Sequence, residues 1–359
     1  MKIGIDVRAL NVNGGSKTYA ENLLSNLKNK KDFILFGVKK FKSFDCIPTK
    51  VKNDSVLRLF YENFILPIQI KKYNIKILHG IKGVVPFFGD FKKVVTVHDV
   101  IPLIYPEQFK FKDLFYWKFI FPRYLKRADK IIASSTNTKN DLMRLLNIPK
   151  DKIEVILLAP DECFKPMRNK VLLNKIKKKY SIKNKFIFYS GSINPRKNIK
   201  RVIESFELIK DKMNYDLIIT GGSIWKSEEE MNLIKNNPRI KLLGLIPKED
   251  LIALYNLAEV YVYPSLYEGF GLPILEAQAC GCPVITSNVS SMPEVAGKGA
   301  LLVNPNNTNE IVNATEKILT SKRLRENLIK RGFENIGRFS WKKTVKETLK
   351  IYEGVYNEK

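Results

Sequence analysis

Short apolar runs recur along this chain, separated by longer segments in which apolar positions return every three or four residues. The runs read as buried strands and the longer segments as amphipathic helices. In the first half, strands are predicted over 2–7, 33–38, 75–79, 93–98 and 130–134, with helices over 17–27, 56–73, 110–126 and 137–146. A second strand series follows over 186–190, 216–220, 240–243, 260–263, 283–286 and 300–303. Strand and helix alternate from end to end, as a parallel sheet covered on both faces requires. The expected fold is α/β, with two Rossmann-like doubly wound parallel-sheet domains facing a cleft. LAPDECFKPMRNK (158–170) reads as the linker between them. The domains are then 1–163 and 164–339, and the amphipathic segment 340–359 is expected to pack back on the first. Ligands of such sheets bind outside the carboxyl ends of the strands.

A chain of 359 residues has room for two cores, and 45% hydrophobic residues make it globular rather than disordered. MKIGIDVRAL enters a strand pattern directly, without the apolar stretch of a secretory signal. The longest apolar run, near FILPIQI (64–70), is too short to cross a bilayer. A cytoplasmic protein is expected, with a peripheral position at the inner membrane face left open. Four cysteines without a CxxC and two histidines argue against a zinc site or a disulfide framework.

The charge is less ordinary, because 62 Lys and Arg against 36 Asp and Glu leave +26. Residues 1–170 carry 32 basic and 16 acidic side chains, and the rest carry 30 and 20, so the excess leans to the first half. Nucleic acid, an anionic membrane face or anionic substrates would each suit it. A lysine-rich genome or a hot habitat would suit it as well. No nucleic-acid recognition motif accompanies the charge, so a nucleic-acid-binding protein is the weaker reading.

The chemistry concentrates in PSLYEGFGLPILEAQACGCPVIT (264–286). A strand ends near Tyr263, Gly269 and Gly271 let a ligand approach the backbone, and Pro273 suits a helix start. The amides near Gly271 and Leu272 then lie at a helix N-terminus, which attracts anions. Glu268 and Glu276 bracket the loop and are able to accept hydroxyl hydrogen bonds. A glutamate early in a helix is also favourable through the macrodipole alone, so the whole string carries the signal rather than its parts.

The region 244–305 resembles the signature of the retaining glycosyltransferases of family 4, which have the GT-B fold. Glu268 and Glu276 match its E-x7-E pair within EGFGLPILE, and ACGCPVITSNVSSMPEVAGKGALLVNP is similar to the pattern that follows. The resemblance implies that Glu276 binds the ribose and Glu268 the donor sugar, with Gly269, Phe270, Gly271 and Leu272 offering main chain. GSINPRKN (191–198) opens after a strand, and its Lys197 matches the family's phosphate-binding lysine. Arg196 is a second candidate cation, while Ser192 stands where many members carry arginine. Gly14 and Gly15 resemble the glycine loop near the donor diphosphate, although Ser16-Lys17-Thr18 departs from the usual residues. His98 and Asp99, closing VVTVHD, match members that transfer mannose, which places His98 at the donor sugar. His79 carries no assigned role.

The resemblance therefore implies a retaining transferase of the polysaccharide-biosynthesis type, with His98, Glu268 and Lys197 as the catalytic group. The donor is GDP-mannose in the first reading and a UDP-sugar of glucose or N-acetylglucosamine in the second. The acceptor is a glycan or a lipid-linked glycan. No D-x-D occurs in the chain, so no metal or other cofactor is expected. The paired glutamates would also suit a glycosidase, but a pair beside an anion site fits sugar binding better. Residues 107–130 interleave aromatic and basic side chains. They read either as a face for anionic lipid or as a core helix with a solvated basic side, and the pattern favours the core helix. LLNKIKKKYSIKNK (172–185) reads as a solvated helix and turn.

Overall fold

In the computed structural model, residues 1–11, 14–49, 55–211, 213–222 and 228–358 are described. The chain divides into one unit of Met1–Leu158 with Ser340–Lys359 and another of Ala159–Phe339. The first unit stops short of residue 163 because the segment beyond it is bonded to the second. There Asp161 pairs with Lys248 at 3.0 Å, and the Lys165 carbonyl accepts from Asn256 at 3.1 Å.

The apolar runs become strands because a segment buried on both faces needs every backbone group paired within a sheet. In the first unit the strands are β1 (Ile3–Asp6), β2 (Phe33–Phe36), β3 (Asp45–Ile47), β4 (Ile77–Gly80), β5 (Lys92–Val97), β6 (Lys130–Ala133) and β7 (Ile153–Val155). They lie parallel in the order β3-β2-β1-β4-β5-β6-β7, with Ile5 of β1 opposite Leu35 of β2 and His79 of β4. In the second unit they are β8 (Lys185–Ser190), β9 (Tyr215–Thr220), β10 (Ile240–Leu242), β11 (Val260–Tyr263), β12 (Val284–Ser287) and β13 (Ala300–Val303). Their order is β10-β9-β8-β11-β12-β13, again parallel. Each sheet winds outward in both directions from a central pair, β1 beside β4 and β8 beside β11. In doubly wound sheets the loops diverge at such a pair, and ligands bind there. The strands β3 and β7 were not foreseen. Each is three residues long, and only Ile47 and Ile153 within them are buried, which leaves almost no periodic signal.

The helices carry their own boundary chemistry. Ser135 caps Thr136–Leu146 by accepting the Thr138 amide at 3.0 Å, and Asn147 closes it in the left-handed conformation. The helix Trp341–Asn357 belongs to the first unit, where Thr344 Oγ1 donates to the Leu157 carbonyl at 2.7 Å. Its Tyr352 hydroxyl lies 2.6 Å from His79 Nδ1. His79 Nε2 lies 2.8 Å from Thr96 Oγ1, which in turn lies 3.1 Å from the Tyr19 hydroxyl of the helix Gly15–Asn26. This chain of buried polar groups joins two strands to two helices. No helix among the described residues is long and apolar enough to cross a membrane.

Burial first, and neighbouring His98 second, lower the His79 imidazole to about 3. An imidazole kept neutral when folded takes up a proton only on unfolding, so acid favours the unfolded chain. Stability should therefore fall by about 1.4 kcal/mol per pH unit below about pH 6.5 on account of this group. Urea denaturation at a series of pH values should show that slope, and His79→Gln should flatten it.

Candidate functional site

The loops that leave β8 and β11 are drawn together at their carboxyl ends. After β8 comes the single turn Pro195–Lys197, capped by Asn194, whose side-chain oxygen accepts the Lys197 amide at 3.1 Å. The next residue, Asn198, takes the left-handed conformation and donates to the carbonyls of Pro264 at 2.9 Å and Pro305 at 2.7 Å. The Leu266 amide returns a bond to the Arg196 carbonyl at 2.8 Å. These ties place Arg196 and Lys197 against the loop that holds Glu268.

Glu268 is only 8% exposed. Its Oε1 receives Lys197 Nζ at 2.7 Å, Arg196 NH1 at 3.1 Å and the Tyr263 hydroxyl at 2.9 Å. Arg196 also donates to the Tyr267 carbonyl at 2.6 Å, and Lys197 Nζ lies 4.8 Å from the centre of the Tyr263 ring and contacts its hydroxyl. Burial by itself would push the Glu268 carboxyl up, but the two cations outweigh it and hold the group at about 2. Two cations facing one carboxylate leave a local surplus of +1, which suits a phosphate-bearing ligand.

The rest of the loop is braced from below by two adjacent serines. Ser290 Oγ accepts the Glu268 amide at 3.2 Å and lies 2.6 Å from the Glu268 carbonyl. Ser291 Oγ shares its proton between the carbonyls of Glu268 at 2.8 Å and Phe270 at 2.6 Å. Phe270 turns its ring inward, edge-on to Phe339 at 6.1 Å, so only its main chain faces the loop. Gly271 has φ 112° and caps the helix Leu272–Ala279. Leu272 takes the first helical position and Pro273 the second, one place later than expected for the proline. Just past the helix end, Gly281 takes φ 76° and its amide donates to the Gln278 carbonyl at 3.0 Å.

Glu276 lies one turn inside that helix, with Oε2 3.4 Å from the Tyr255 hydroxyl. Tyr255 contacts Ser190 Oγ at 2.7 Å, and Ser190 Oγ lies 3.1 Å from the Tyr261 hydroxyl. An edge of Glu276 still meets solvent, yet burial among these rings pushes its carboxyl up to about 7. The two glutamates thus sit in opposite environments, one held strongly acidic by cations and one made weakly acidic by apolar surroundings.

The remaining candidates belong to the first unit. His98 follows β5 and packs edge-on against Tyr19, with ring centres 4.9 Å apart. Its Nε2 donates to the Ile81 carbonyl at 3.1 Å, which leaves Nδ1 as the accepting nitrogen. Burial lowers this imidazole to about 4, so it is neutral at physiological pH. Asp99 is turned back on the chain, accepting the Ile101 amide at 3.1 Å. Gly14 and Gly15 are exposed at the start of the helix that carries Tyr19, and a Cβ added at either would meet no atom of the described residues beyond its chain neighbours within 4 Å. Val12 and Asn13 of the glycine loop lie outside the described residues. Among the described residues no three His, Cys, Asp or Glu side chains gather as a metal site.

Sequence reasoning singled out Arg196, Lys197 and Glu268 separately and missed the residues that join them. Tyr263 read as the last residue of a strand, and Ser290 and Ser291 as part of a longer pattern. Only the serine pair directly before Met292–Ala296 offered a local hint, since serine favours helix starts.

Residues 13–159 match the family described as Glycosyltransferase Family 4, and residues 174–335 match Glycosyl transferases group 1. O-antigen chain mannosyltransferase B of Escherichia coli is 32% identical over 289 residues, covering 79% of this chain and 76% of that one. The serotype-specific mannosyltransferase WbdA of Escherichia coli is 31% identical over 269 residues, covering 71% of this chain and only 32% of WbdA. Among solved structures, Anabaena HepE in complex with UDP-glucose superposes with a TM-score of 0.78 at 16% identity, covering 99% of this chain and 100% of HepE. The architecture is the two-domain, Rossmann-like GT-B fold.

Gly271→Ala tests the loop geometry, because alanine disfavours φ 112° and its Cβ would lie 3.1 Å from Ile274 Cδ1. A loss of about 1–3 kcal/mol is expected by chemical denaturation. Ser291→Ala, which orphans one buried carbonyl or more, should cost a similar amount, about 1–3 kcal/mol.

Proposed function

From the premise that the chain belongs to the family 4 glycosyltransferases, we propose that it transfers mannose from GDP-mannose to a growing surface glycan of the O-antigen type. The observation that carries this reading is the meeting of Lys197, Arg196 and Glu268 beside the Gly271 helix start. The two named mannosyltransferase relatives support the choice of sugar.

In this reading, Lys197, Arg196 and the amides at the start of Leu272–Ala279 receive the diphosphate. As the bond from the anomeric carbon to phosphate oxygen breaks, negative charge grows on the leaving group and positive charge on the sugar ring. Donors held in place by Glu268 and the loop need little reorganisation to meet that charge, and each is worth about 3–4 kcal/mol in comparable sites. Glu276 takes the ribose hydroxyls, and the Oε2 of Glu268 accepts from hydroxyls of the sugar. His98, neutral and hydrogen-bonded through Nε2, keeps Nδ1 as a nitrogen able to accept from a hydroxyl. A carboxylate held at about 2 by two cations is a weak nucleophile, which disfavours a covalent intermediate on Glu268. The acceptor hydroxyl instead attacks from the side of the departing phosphate, whose oxygen takes the proton. Anomeric configuration is retained, and no metal or other cofactor takes part. The acceptor is a glycan or a lipid-linked glycan at the cytoplasmic side.

Thermal shifts with GDP, UDP and ADP test the donor. GDP at a hundredfold excess over its Kd should stabilise the protein by about 2.7 kcal/mol, and a shift with UDP alone would replace mannose transfer by the UDP-sugar reading. Lys197→Ala and Glu276→Ala should each remove the shift, and binding unchanged in both would overturn the site. The raised Glu276 carboxyl adds a pH signature. Because the carboxylate form accepts ribose hydroxyls, nucleotide affinity should rise by up to about tenfold between pH 6 and pH 8. Titration calorimetry should show that rise in the parent chain, and it should be absent in Glu276→Gln.

A further inference from the structure

Two helices of the first unit break the rule that large apolar side chains point inward. The helical run 55–72 buries Tyr61, Leu66 and Ile70, yet Leu57, Phe60, Phe64 and Ile68 on its other side are 53–69% exposed. The run 111–127 buries Phe121, Tyr124 and Leu125, yet Phe111, Phe115 and Phe119, spaced four apart, are 49–83% exposed. Within each stripe neighbouring rings touch, Phe60 stacked on Phe64 at 5.1 Å and Phe115 tilted against Phe119 at 5.0 Å. The run keeps the buried side and the solvated basic side expected of 107–130, and the second stripe is an addition to that reading.

The two runs are built alike and touch. Each passes through one wide turn, 61–65 and 116–120, just before Pro67 and Pro122. That turn makes room for a proline ring that would otherwise clash with the preceding turn. Arg58 lies over the Tyr116 ring at 4.8 Å, and Tyr124 bonds Glu62 at 3.1 Å and Asn63 at 2.9 Å. Phe87 stacks on Tyr124 at 4.3 Å, which sets exposed Phe88 beside the same pair. Polar bonds hold the helices together from within and leave the phenylalanines to the outside.

We propose that these two aromatic stripes form a surface that inserts into the interfacial region of a bilayer bearing anionic headgroups. The charge around them selects this occupant. Between 110 and 127 the chain carries six basic residues, all exposed, against the single acid Asp113. Lys71 and Lys72 end the other run, also exposed. Aromatic side chains flanked by lysine and arginine suit the boundary between headgroups and acyl chains. A second copy of this chain would bring two cationic faces together and suffer repulsion. The inference stands on exposure and charge, independent of donor and acceptor, and would hold the transferase at a surface where lipid-linked glycans reside.

Co-sedimentation of the full chain with phosphatidylcholine vesicles, with and without phosphatidylglycerol, tests this. Binding is expected to require phosphatidylglycerol, to weaken at high salt, and to fall about tenfold or more in Phe60→Ser/Phe64→Ser and in Phe111→Ser/Phe115→Ser. Both variants should keep the parent's nucleotide-induced thermal shift, which separates loss of membrane contact from loss of fold or donor site. Phe115→Trp should show blue-shifted emission on the anionic vesicles. Absence of binding, binding indifferent to the serine changes, or light scattering that reveals a dimer dissolved by those changes would each overturn the proposal.

Discussion

The second unit is organised by one buried carboxylate. Glu268 is withdrawn from water, and only close cations let it stay charged there. Lys197 and Arg196 satisfy it, and in doing so they pin the turn after β8 to the loop after β11. Asn198 and Leu266 extend the same seam through main-chain bonds. Loss of either cation would weaken that compensation, and loss of both would leave the charge buried and unpaired. The cost of holding this charge is offset by the seam it closes, and the surplus +1 is what a phosphate would meet.

The first unit solves an analogous problem without charge. His79, Thr96, Tyr19 and Tyr352 form a buried relay of neutral groups that ties β4 and β5 to the first and last helices. Tyr19 then meets His98 edge-on, and the Ile81 carbonyl fixes which nitrogen of His98 donates. A neutral imidazole with one accepting nitrogen suits hydroxyl groups, whereas lysine and arginine suit phosphate oxygens.

The run 107–130 shows what a sequence pattern leaves open. Its apolar residues repeat at helical spacing on two sides, one ending in Phe121, Tyr124 and Leu125 and the other formed by Phe111, Phe115 and Phe119. Periodicity identifies the helix but cannot say which of two apolar stripes the core takes. That choice depended on Glu62, Asn63 and Arg58 from a helix some sixty residues away, which hold Tyr124 and Tyr116 inward. The strands β3 and β7 escaped for the opposite reason, since three residues with one buried side chain carry hardly any pattern.

By itself, the order of residues determined the parallel α/β architecture, most strand positions, the glycine-punctuated turn into Leu272–Ala279, and the identity of the charged groups nearby. These are local properties, set by alternation over a few residues and by the backbone angles that glycine, proline and asparagine accept. Tertiary structure decided the partnerships. Lys197 reaches Glu268 across 71 residues of chain, and His79 reaches Tyr352 across 273. Contacts at such separations depend on which strands become neighbours in a sheet, and so do the two opposite acidities of Glu268 and Glu276. Burial and the distance to a cation set an acidity, and neither exists until the chain has folded.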